Sequence, residues 1–199
     1  MSRTAFRLLA AIALLLAPSV ALAHPGHGEG GSLLGGFIHP FGGIDHLLAM
    51  TAVGLFAAHL GGRALWVVPT TFVAVMALGG VFGAAGVSLP FTETAIALSV
   101  LVFGFVIFSG MTPPVLAAMA MVGIFEAFHG HAHGAEMPVG ASGVVYGIGF
   151  MVATALLHGL GITLGLAIGR FDEAPRRLAM QTCGVAIALI GVGLTISLV

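Results

Sequence analysis

His39-Pro40-Phe41-Gly42-Gly43-Ile44-Asp45-His46-Leu47-Leu48-Ala49-Met50 carries two imidazoles and a carboxylate straight into the apolar run Thr51-Ala52-Val53-Gly54-Leu55-Phe56-Ala57-Ala58. A run of that kind is long enough to cross a bilayer, whose hydrocarbon core takes about 20 apolar residues of helix. Charged groups at such depth cost at least ~2.5 kcal/mol each, so ionisable residues there read as a functional site. Neutral imidazole with carboxylate suits borderline divalent metals: nickel, cobalt, copper or zinc. The stretch predicts metal chemistry inside a membrane.

Composition agrees. Of 199 residues, 59% are hydrophobic and 7% charged, with a mean hydropathy of +1.16. A soluble domain carries about 25% charged residues, so a water-soluble fold is excluded. Six arginines, no lysine and seven acids give a net charge of −1, which leaves no basic face for nucleic acid. The single Cys183 excludes an intrachain disulfide framework and any multi-cysteine zinc or iron–sulfur site. The 31 glycines, many spaced by three within apolar runs, suit close helix packing in lipid. Nine histidines against so few charges remain to be explained.

Taken in order, residues 1–23 read as a cleavable signal peptide: Arg3 and Arg7, an apolar core from Leu8 to Ala17, then Ala21-Leu22-Ala23 as the cleavage site. Residues 24–36 form a histidine-bearing leader that begins His24-Pro25-Gly26-His27-Gly28-Glu29. Six apolar spans follow, at about 37–58, 64–84, 93–110, 113–129, 141–169 and 177–198. Backbone satisfaction in lipid makes each of them a helix. The fold class is therefore all-α, a polytopic membrane bundle of about six helices, with residues 37–199 as the membrane domain.

Arginine sets the orientation. With the mature N-terminus outside, Arg63, Arg170, Arg176 and Arg177 all fall in cytoplasmic loops. The external loops, 85–92 and 130–140, hold no arginine or lysine. Read by depth, His129, His131 and His133 then lie at or beyond the outer boundary, and His39 at the outer end of the first span. Asp45 and His46 lie about 9–11 Å further in, at 1.5 Å rise per residue. His158 falls near mid-membrane and His59 at the inner exit, so the histidines form a descending series.

On a straight helix His39 and His46 share a face but stand about 10 Å apart. They reach one ion together only if Pro40 and the glycines unwind the turn, as broken helices do in transporters. Glu126 and His129 are spaced i, i+3, the Glu-x-x-His arrangement by which helix bundles present a carboxylate and an imidazole to one metal. Phe128-His129-Gly130-His131-Ala132-His133-Gly134-Ala135-Glu136 is then expected to crowd three imidazoles and a carboxylate outside the membrane. The candidate metal ligands are His39, Asp45, His46, Glu126, His129, His131, His133 and His158. Glu93, in the first turn of the third span, reads as a helix-dipole carboxylate.

An enzyme is the competing class. Gly140-Ala141-Ser142-Gly143 matches the GxSG of rhomboid intramembrane proteases, and a zinc-dependent membrane hydrolase is the other form. A serine nucleophile needs a base within about 3 Å. His158 lies 16 residues further along the same helix, roughly 24 Å away, and cannot be that base.

The chain as a whole resembles a known family. His39-Pro40-x-x-Gly43-x-Asp45-His46-x-x-x-Met50-x-x-x-Gly54-x-x-Ala57 matches the first-helix signature of the HupE/UreJ family, and Phe128 to Glu136 looks like its second histidine motif. The resemblance covers essentially the whole mature chain. It implies a secondary permease for nickel or cobalt that serves hydrogenase or urease maturation, with His39, Asp45 and His46 essential to transport. The expected partners are the transition-metal ion, as substrate rather than tightly bound cofactor, and the lipid bilayer; a homo-oligomeric state stays open. The expected location is the bacterial inner membrane, with the mature N-terminus periplasmic.

Overall fold

The computed structural model describes residues 32–137 and 142–198. The expected signal peptide and the first part of the leader, to residue 31, lie outside the described residues. Helix α1 (Leu33–Ile38) runs into a 3₁₀ turn (His39–Phe41), and α2 (Ile44–Leu60) follows. Then come α3 (Ala64–Ala84), α4 (Thr92–Ser109), α5 (Val115–Ala135), α6 (Gly143–Ile168) and α7 (Glu173–Ile196). Among the described residues there is no strand. Five of these helices are each long and apolar enough to cross a membrane, and α1 with α2 makes a sixth, broken span bent by 84°.

The break has a local cause. Ser32 starts α1 by accepting the Gly35 N–H at 3.0 Å, and Pro40 then removes a backbone donor where the helix would continue. Gly43, in extended conformation (φ −117°, ψ 128°), starts α2 afresh. The first span is therefore not the single helix over 37–58 that periodicity suggests. It begins at Leu33, within the stretch assigned to the leader, and turns sharply at Gly42-Gly43.

Three helix pairs build the bundle: α3 with α5, α4 with α7, and α2 with α6, while α1 lies on α6. Each contact is made backbone to backbone through glycine. A Cβ at Gly54 would overlap the His158 carbonyl, and one at Gly130 the Met76 carbonyl. Between lipid tails no hydrophobic drive holds helices together, so such close van der Waals approach supplies the association. The buried set Leu48, Ala49, Met50, Ala52, Val53, Leu55, Phe56 and Ala57 makes α2 the central helix. Trp66, Leu116, Val144 and Leu178 are apolar and exposed on the outside, the distribution of a bundle solvated by lipid.

The register of these contacts fixes direction. Residues 51 to 58 of α2 meet residues 158 to 165 of α6 in the same order, and Gly79 and Gly83 of α3 meet Ala127, His131 and Ala135 of α5 likewise. Helix α2 leads away from His39, whereas α5 leads toward it. Arg63, Arg170, Arg176 and Arg177 consequently gather at the end of the bundle opposite His39.

Candidate metal site

His39, on the 3₁₀ turn, faces the last two turns of α5. Its Nε2 lies 3.1 Å from His133 Nδ1 and 3.9 Å from Glu136 Oε2. The ligand atoms of His39, His133 and Glu136 all fall within 4.8 Å of one another. Two nitrogens bound to a metal at about 2.1 Å stand roughly 3 Å apart at right angles, so the His39–His133 spacing already fits a shared cation.

His46, in the first turn of α2, extends this group inward. Its ring centroid is 4.5 Å from that of His133, 5.4 Å from that of His129 and 6.4 Å from that of His39. The bend at Gly42-Gly43 brings His39 and His46 this close, where a straight helix would hold them about 10 Å apart. Asp45 Oδ1 accepts both the His46 backbone N–H at 2.9 Å and the ring Nδ1–H at 2.7 Å. An ionised carboxylate only accepts, so the ring's Nδ1 carries the proton and Nε2 keeps a free lone pair. Four imidazoles from three elements thus stand ring to ring with Asp45 behind one of them.

Below them the column continues. Glu126 and His129 are fully buried, with His129 Nδ1 3.5 Å from Glu126 Oε1 and out of line for a hydrogen bond. The Phe72 ring follows, 6.3 Å from His129 and edge-on at 4.5 Å to His158. His158 is 2% exposed and neither ring nitrogen has a partner among the described residues. A buried polar group left unpaired costs about 1–3 kcal/mol. His46, His129, His133 and His158 each keep at least one such nitrogen along the column, as His59 and His131 do beside it.

Two expectations are corrected here. Residues 130–135 are not part of an external loop: α5 runs to Ala135, and His131 and His133 are buried within it. Gly and Ala between the histidines let the helix continue, because small residues fit the tight contact with α3. On a helix the alternating histidines then point apart. His129 and His133, at i and i+4, share one face, while His131 turns away to the Val87 carbonyl. His39 meets His133 and Glu136, while Glu126 and His129 lie deeper.

Glu136 escaped the ligand list, although His133-x-x-Glu136 repeats the i, i+3 spacing of Glu126-x-x-His129 in reverse. Phe72 carries no signal in the sequence. Ser142 accepts from the Val145 backbone N–H at 3.4 Å as the cap of α6, with no base beside it among the described contacts. An apolar groove of about 510 Å³ between α3, α5 and α6 includes His133 in its wall.

Comparison with known proteins follows the same lines. The chain matches the family described as HupE / UreJ protein over residues 12–194. It is 48% identical over 189 residues to Protein HupE of Rhizobium leguminosarum bv. viciae, a match that covers 94% of this chain and 95% of that protein. No solved structure matches the chain.

Proposed function

The chain belongs to the HupE/UreJ family, and on that premise we propose that it is a secondary permease bringing a divalent transition metal into the cell. Nickel is the substrate expected first and cobalt second, in the service of hydrogenase or urease maturation. On this reading the protein resides in a bacterial inner membrane with its His39 end toward the periplasm. The arginines at the opposite end support that orientation.

One observation carries the reading: His39, His46, His129 and His133 stand ring to ring within membrane-spanning helices, with Asp45 fixing one of them. The ion loses water to His39, His133 and Glu136, then passes to the Nε2 of His46. Imidazole and carboxylate exchange a borderline cation readily, as a permease requires, whereas thiolates would hold it tightly. The sequence has no nucleotide-binding Walker motif, so an ion gradient, the membrane potential or trapping in the cytosol would drive entry.

A hydrolase is the less favoured reading, since the Ser142 hydroxyl is engaged as a helix cap. Uptake of radioactive nickel at nanomolar concentration by cells expressing the chain separates the two. The expected result is uptake in the wild type and in Ser142→Ala, and its loss in His46→Ala. A wild type present in the membrane that takes up neither nickel nor cobalt would refute the permease.

A further inference from the structure

We propose that Glu126 and His129 form a second, inner metal station, loaded through His46 and separate from the His39–His133–Glu136 group. This rests on the permease reading above. Glu126 lies on helix α5 and Glu136 caps its C-terminal end ten residues later, about 15 Å away at 1.5 Å per residue. Metal–ligand bonds of about 2 Å cannot span that distance, so the two carboxylates hold different ions.

The inner pair has the features of a cation site. Both side chains are fully buried, and both oxygens of Glu126 lack a hydrogen-bond partner among the described residues; the His129 ring approaches the Phe125 backbone, which leaves its other nitrogen free for an ion. Their i, i+3 spacing puts carboxylate and imidazole on one face of α5. No arginine approaches them, since every arginine of the described residues lies at a helix end. A divalent cation supplies the positive partner that Glu126 does not find in the protein.

His46 connects the two stations. Its ring lies between those of His133 and His129, at 4.5 and 5.4 Å, and its Nε2 is buried and unpartnered. Asp45 holds Nδ1, so the single free lone pair of His46 is the one an ion exchanges between the stations. The ion thus keeps an imidazole ligand throughout the step.

The test counts ions. The full chain, purified into lipid nanodiscs, is dialysed to equilibrium against radioactive nickel alone, beside Glu126→Gln, His129→Gln and His133→Ala. Uptake by cells expressing the wild type is measured in parallel. Two ions per wild-type chain, falling to one in Glu126→Gln and to one in His133→Ala, is the expected result. If Glu126→Gln fails to reach the membrane, His129→Gln puts the same question to the other ligand. Stoichiometry and affinity unchanged in the inner-pair variants, with wild-type uptake intact, overturns the inner station and leaves the permease standing. A wild type that neither binds nor takes up the ion overturns both.

Discussion

Asp45 Oδ1 lies 2.7 Å from the Nδ1 of the histidine next to it, His46, and 2.9 Å from that residue's backbone N–H. Adjacent residues on a helix point about 100° apart, so this contact exists only because the pair sits in the first turn after Gly43. There the Asp45 side chain folds back on free backbone N–H groups. It does for His46 what a carboxylate behind a metal-bound histidine does elsewhere: it sets the tautomer and fixes the ring's orientation.

Replacing that carboxylate by its amide should keep the fold and lose the orientation. Asp45→Asn is expected to lower nickel affinity about 10- to 100-fold, the range seen when such partners are removed. Equilibrium binding to the purified chain checks this, and affinity unchanged within twofold would show that Asp45 only caps the helix.

Gly43 should matter through the same pair. A Cβ there would lie 2.8 Å from His46 Nδ1, while the backbone at φ −117° is open to any residue. Gly43→Ala is expected to fold, with thermal stability within about 1 kcal/mol of wild type, and to lose at least about tenfold in uptake as the Asp45–His46 contact is pushed apart. Full uptake with normal expression would contradict the arrangement.

His131 and His133 offer a contrast two residues apart. His131 bonds the Val87 carbonyl and faces away from the column, whereas His133 contacts His39. His131→Ala is expected to cost about 1 kcal/mol of stability, the net worth of one hydrogen bond, with uptake retained. His133→Ala should abolish uptake. Paired thermal melts and uptake assays read both, and equal loss of transport in the two would mean that the histidine stretch acts as one cluster.

The Glu136 carboxyl carries a pH dependence. Partial desolvation of this half-exposed side chain holds its pKa above the ordinary 4.5, and the negative charge of Glu93 adds to the rise. A raised carboxyl keeps its proton to higher pH, and a ligand must be deprotonated to bind metal. The Glu136 contribution to ion capture is therefore present above the raised pKa and lost as pH falls through it. Glu93→Gln should move that titration toward, but not below, the ordinary value. Isotope-edited infrared titration of the Glu136 carboxyl measures the shift; an unmoved titration would remove Glu93 from the account.

Much of this protein was legible in one dimension. Membrane residence and helix number follow from apolar runs too long for any other solvent, because a bilayer tolerates little but helices. His39, Asp45 and His46 stand out as site candidates because such residues are rare in apolar segments. The end of α5 was misread as a loop: polarity and glycine signal a loop in water, but glycine also lets a helix lie tightly against its neighbour, which residues 130–135 do against α3.

By itself, then, the sequence determined the solvent, the helices, their alternation and the kind of ion the side chains suit, all of which depend on local composition and spacing. Which groups meet was decided only by the tertiary structure. The bend at Gly42-Gly43 and the backbone-close packing of the helices bring His39 to His133 across 94 residues, and the same packing turns His131 aside. Depth in a membrane can be counted along a chain, but proximity between helices depends on their crossing and rotation, which no single helix encodes.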